Sequence, residues 1–179
     1  TTFLEKDIPQ LGITIPSGTL RKFWTILTGY HAQVINYSEI GRVFGISDTT
    51  VRKYLDILSG TFMIRILHPW HPNIPKRMVK NPKIYFRDSG IYHSLLSVEE
   101  MKDLEGSSKI GASWEGFALE QVARKIGKKP QEVYFWRTHA GAELDLFYTD
   151  KGKNYGVEFK YSDAPVLSKS MSVLSCISL

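Results

Sequence analysis

The sequence predicts a mixed α/β chain in two parts: a helical part closed by a β-hairpin, then a part in which one helix precedes several strands. Three observations predict it. Apolar residues recur at helical spacing up to about residue 60, and a pair of strand-like runs follows. In the second half, one helical stretch stands before three runs rich in β-branched and aromatic residues. With 179 residues, 42% hydrophobic and 23% charged, the chain has a globular composition and can bury one or two cores.

Thr1 to Pro16 has no helical period and reads as a connection. A first helix is expected from Ser17 to His31, with Leu20, Phe23, Trp24 and Leu27 on one face. Asn36-Tyr37-Ser38-Glu39 forms a capping-box pattern that opens a short helix ending at Gly45. Ser47 caps a third helix that carries Val51, Leu55 and Leu58 and closes at Gly60. Two helices joined through Phe44-Gly45-Ile46-Ser47 match a helix-turn-helix. Thr61 to Leu67 and Lys83 to Arg87 read as strands around a Pro-rich basic loop, so residues 17–97 read as a winged helix.

If the module docks on DNA as winged helices do, Thr49, Thr50, Arg52 and Lys53 face the major groove, and Lys76, Arg77 and Lys80 sit on the wing. Residues 1–89 carry twelve Lys/Arg against six Asp/Glu, whereas residues 90–179 carry eleven against twelve. A basic front half suits a phosphate backbone, although a solvated basic face or a protein-contact surface has the same composition. A short helix from Ser89 to Leu96 and a polar segment from Val98 to Lys109 lead into the second half.

Ser113 is expected to cap a helix that runs to Ile126 and stops at Gly127. Trp114, Ala118, Leu119, Val122 and Ile126 form its apolar stripe, with Glu115 in the middle and Glu120 off to one side. A carboxylate on a buried face is costly unless something pairs with it. Val133 to Thr138, Glu143 to Tyr148 and Asn154 to Tyr161 read as strands. A two-residue turn at Lys151-Gly152 sets Asp145 opposite Glu158 and Glu143 opposite Lys160, all on one face. The other face then holds Leu144, Leu146, Tyr148, Val157, Phe159 and Tyr161.

Clustered carboxylates repel unless a cation neutralises them, and oxygen ligands suit Mg²⁺ or Mn²⁺. Glu115, Asp145, Glu158 and Lys160 are therefore the expected catalytic set, with Asp145, Glu158 and Glu115 as metal ligands and Glu143 and His139 as accessory positions. In phosphodiester hydrolysis, the metal would polarise phosphate and Lys160 would orient the attacking hydroxide. The alternative is a solvated charged face with Glu143 paired to Lys160. His68 and His71 have no further ligand near them in sequence, which leaves zinc a weak option.

Other classes are excluded. Cys176 is the single cysteine, so an internal disulfide or a multi-cysteine metal site cannot form. Neither a membrane-length apolar run nor a signal-like N-terminus is present, and a cytoplasmic location is the expectation. The GxxxxGK[ST] loop is absent, so P-loop ATP binding is not expected of these residues.

A family resemblance rests on a series of segments in order: the helix-turn-helix and hairpin, Trp114-Glu115-Gly116-Phe117-Ala118-Leu119-Glu120, Phe135-Trp136-Arg137-Thr138, Glu143-Leu144-Asp145-Leu146 and Val157-Glu158-Phe159-Lys160-Tyr161. This order resembles the C-terminal region of a large group of prokaryotic AAA-type ATPases. There a P-loop domain precedes a domain of unknown function related to restriction-endonuclease-like, PD-(D/E)XK folds. The resemblance implies that residues 1–16 link to an ATPase domain that would alone bind ATP. It also implies that residues 98–179 form a nuclease-like α/β core, incomplete at its C-terminus because the family pattern continues beyond Met171. The chain's own ATPase domain is the partner the resemblance implies, beside the DNA expected from the winged-helix pattern and the basic charge. The resemblance fixes fold and context rather than activity. The function expected from the residues is DNA binding with metal-dependent phosphodiester hydrolysis, and the alternative is a non-catalytic DNA- or protein-binding module that regulates the ATPase.

Overall fold

A computed structural model describes residues 15–70, 80–138 and 141–162. Among the described residues the chain is mixed α/β, with six α-helices and two small antiparallel sheets.

Helix α1 (Ser17–Leu27) buries Leu20, Phe23, Trp24 and Leu27, and the chain tightens into a 3-10 turn at Thr28–Tyr30 instead of continuing to His31. Strand β1 (Gln33–Val34) follows. Helix α2 (Tyr37–Phe44) starts where the Asn36 side chain accepts the Glu39 amide, and it ends in left-handed Gly45. Helix α3 (Asp48–Gly60) starts where the Ser47 side chain accepts the Thr50 amide. Gly41 allows the turn between them to close: a Cβ there would lie 2.6 Å from the Ile46 carbonyl oxygen.

Strands β2 (Ile64–Leu67) and β3 (Lys83–Phe86) pair antiparallel, and β1 adds to the far side of β3. Both faces of this hairpin are covered. Ile64, Ile84 and Phe86 join the core under α1 to α3. Leu67 and Tyr85 join a second core with Leu119, Val133, Phe135 and Leu146.

Asp88 caps α4 (Ser89–Leu95) through the Ile91 amide. The segment expected to be merely polar contains a further short helix, α5 (Met101–Glu105). Helix α6 starts earlier than expected, spanning Ile110–Ile126, and Ser113 is no cap. Its hydroxyl is buried in the first turns and lies 2.6 Å from His93 Nε2. Left-handed Gly127 ends the helix as expected.

Strands β4 (Val133–Arg137), β5 (Glu143–Asp150) and β6 (Lys153–Val157) form the second sheet. Lys151 and Gly152 both have positive φ, and Asp150 pairs with Lys153, which is the expected two-residue turn. His68 to Trp70 runs beside β4, with Trp70 donating to the Phe135 carbonyl at 2.7 Å. No helix among the described residues is long and apolar enough to cross a membrane.

Two departures from simple alternation matter. Phe135 alone stands against Asp145 and Leu146, between the pairs Tyr134–Phe147 and Trp136–Leu144. This β-bulge puts Leu144 with Trp136 and Phe147, while Leu146 sits with Leu119 and Phe135 on the opposite face. The expected single apolar face holding both leucines is therefore split. Strand β6 also stops at Val157 instead of reaching Tyr161. Beyond it, the Phe159 amide donates to Asp145 Oδ2 at 2.9 Å, a side-chain acceptor in place of a ladder carbonyl.

Candidate functional site

Strand alternation on β3 sends Ile84 and Phe86 toward the helical core and Lys83 and Tyr85 toward α6 and β5. Lys83 is 2% exposed. Its Nζ lies 3.0 Å from Glu115 Oε1 and 3.4 Å from Asp145 Oδ1, and it is ion-paired with Glu143. Tyr85 donates its hydroxyl to the same Glu115 oxygen at 2.6 Å. The β-bulge beside Asp145 re-aims that carboxylate into this cluster, as bulges near functional sites commonly do.

Burial opposes a charge on Lys83, but Glu115, Asp145 and Glu143 outweigh it and hold its pKa above the ordinary lysine value. Burial pushes the Glu115 carboxyl up to about 7, against the pull of Lys83 and with repulsion from Asp145 adding to the rise. Burial, then Glu115, raises the Tyr85 hydroxyl well above its usual range. A buried ammonium from β3 with three carboxylate partners thus stands where the hairpin pattern implies a carboxylate patch beside Lys160 neutralised by a metal ion.

The expected set is only partly brought together. Glu115, Glu143 and Asp145 converge. Glu158 and Lys160 bond to each other at 2.8 Å, with Lys160 largely in solvent. Glu143 does not pair with Lys160; it is held by Lys83 and lies 3.4 Å from Arg137 Nε. His139, His71, Lys76 and Arg77 lie outside the described residues. Thr49, Arg52 and Lys53 are exposed on α3, Thr50 is partly covered beside its cap, and the Arg52 guanidinium lies 3.7 Å from the Tyr37 ring centre. Lys80 is exposed before β3.

Does this cluster fit the divalent metal that the carboxylate pattern implies? As placed, it does not. The carboxylates converge on Lys83 Nζ, so a second cation in their midst would meet a fixed ammonium. No group of three or more His, Cys, Asp or Glu side chains is arranged for a metal ion among the described residues.

A second network is the one that sequence reasoning missed outright. Glu120, expected off to one side of its helix, is 2% exposed and takes both Arg65 and Arg87. Arg65 Nη2 is 3.1 Å from Glu120 Oε2, and Arg87 Nε is 3.3 Å from the same oxygen. The signal lay in β2, β3 and the residue after it, where Arg65, Lys83, Tyr85 and Arg87 alternate with apolar residues. Trp114, expected in the apolar stripe, is instead substantially exposed, as is Phe117, with Trp114 6.3 Å from the Tyr161 ring.

Against known proteins, residues 1–102 match the family described as Domain of unknown function (DUF8612). Residues 110–176 match Domain of unknown function (DUF4143). An uncharacterized protein of Mycobacterium bovis and one of Mycobacterium tuberculosis are each 46% identical over 171 residues. The match covers 96% of this chain but 38% of each relative's length. No solved structure matches the chain.

Proposed function

We propose that this chain, which belongs to the family of the domain of unknown function DUF8612, is a non-catalytic, nucleic-acid-binding region that regulates an ATPase domain in a longer protein. The observation that carries the non-catalytic part is Lys83, which satisfies Glu115, Glu143 and Asp145 within the chain. In this reading the nuclease-like carboxylates serve as a charged joint between the two halves.

The nucleic-acid part is supported by the α2–turn–α3 unit, read as the helix-turn-helix of a winged helix whose hairpin is β2 and β3. Its exposed Thr49, Arg52 and Lys53 are chemically suited to phosphate oxygens and base edges. The attached ATPase comes from the sequence resemblance alone; the chain spans 38% of the length of the relatives it matches.

Fluorescence anisotropy with a labelled DNA duplex over a salt series tests the first part. Arg52→Glu with Lys53→Glu is expected to weaken binding and to reduce the salt slope by about 1 for each lost phosphate contact. Unchanged affinity would remove nucleic acid from the reading. Plasmid nicking with Mg²⁺ or Mn²⁺ tests the second. Cleavage that disappears in Asp145→Ala and Lys160→Ala would show that the region is catalytic after all.

A further inference from the structure

The misfit between the carboxylate cluster and a metal has a specific cause, and it comes from the other half of the chain. Glu115 is on α6 and Glu143 and Asp145 are on β5, whereas Lys83 is on β3, outside the half that carries the nuclease-like pattern. We infer that Lys83 is a tethered cation that keeps this centre closed to divalent metal, a contact made by the first half of the chain on the second.

Four observations support it. Lys83 Nζ has three carboxylate partners from two elements, which is more than an ordinary cross-strand pair requires. The Lys83 side chain is buried, so its ammonium is held out of water among these carboxylates. Tyr85, two residues along the same strand, holds Glu115 as well, so β3 supplies two of the donors that orient the cluster. Lys160, the lysine expected to serve the site, is occupied at its edge by Glu158. Opening the centre would therefore require the Lys83 ammonium to leave three carboxylate partners.

This inference rests on the non-catalytic reading above but makes a separate claim about metal. The test uses Mn²⁺ on the whole chain. In the wild type, Mn²⁺ is expected to leave the thermal midpoint unchanged and to leave the ¹⁵N-labelled Lys83 ammonium resonance unbroadened. Lys83→Met is expected to lower the midpoint without metal and to recover part of that loss on adding Mn²⁺. Lys83→Met combined with Asp145→Asn is expected to show no recovery. Paramagnetic broadening of the Lys83 resonance in the wild type would overturn the inference, as would a folded Lys83→Met variant that does not respond to Mn²⁺. If Lys83→Met fails to fold, the wild-type resonance decides alone. Metal binding without cleavage would refute the closure and leave the non-catalytic reading standing, whereas Mn²⁺-dependent nicking would end both.

Discussion

At the scale of single residues, Glu120 and His31 show what burial does to groups that look ordinary in sequence. Glu120 has two guanidinium partners and almost no contact with water. Removing one member of a buried pair strands the others, so Glu120→Ala is expected to cost about 3–5 kcal/mol in urea unfolding. His31 is buried too, and its Nδ1 accepts the Phe86 amide at 3.0 Å. Burial lowers its pKa from 6.5 to about 4, resisted by the Ala112 backbone and reinforced by His93 and Lys109. The unfolded chain therefore binds a proton that the folded chain does not between those two values. Stability contributed by neutral His31 is full above about pH 6.5 and is lost as the pH falls toward 4. Urea midpoints of wild type and His31→Gln at pH 4.5 and 7 check this: the variant should show the flatter dependence, and equal slopes would refute it.

Among the elements, the α2–α3 turn is the most tightly specified by local chemistry. Two side-chain caps and one left-handed glycine place both helix starts and the intervening stop. Gly41 is the close-approach point, where an added methyl meets backbone that cannot rotate away. Gly41→Ala is expected to lose about 1–3 kcal/mol and, because the turn must widen, to weaken duplex binding as well. A variant with wild-type stability and wild-type affinity would show that the turn tolerates the shift. The β4–β5 bulge acts in the opposite direction, setting a side chain's aim through a pairing irregularity that no residue type announces.

For the whole molecule, the charge asymmetry acquires an internal meaning. Arg65, Lys83 and Arg87 from the basic first half meet Glu115, Glu120, Glu143 and Asp145 of the second. Part of the surplus that suggests a phosphate partner is thus used to join the halves, and the β2–β3 hairpin contributes to the cores on both sides of it. Such coupling is expected to make the halves unfold together. Tryptophan fluorescence and far-UV circular dichroism should give coincident urea transitions, and Glu120→Ala should shift that one transition without splitting it. Two separated transitions would show that the joint is weak.

The faces of α1 and α3, the Asn36 and Ser47 caps and the Lys151-Gly152 turn are legible in the residues, because each depends on contacts within a few positions or on strict periodicity. The expected Ser113 cap and the stripe placing Trp114 inward and Glu120 aside do not hold. The mixed α/β class follows from the same local signals. The sequence by itself therefore determined most of the elements and placed Glu115, Glu143 and Asp145 as candidates to gather, though it missed α5 and counted Glu158 among them. Only the tertiary structure decided what those carboxylates face. Lys83 stands 32 positions from Glu115 and 62 from Asp145, and the partners of Glu120 are equally remote. Alternation presents Lys83, Tyr85 and Arg65 as a polar strand face, and periodicity cannot say whether such a face meets water or another layer. Packing the second half onto that face removed the water, and the cost of burying each charge selected an opposite charge as its neighbour.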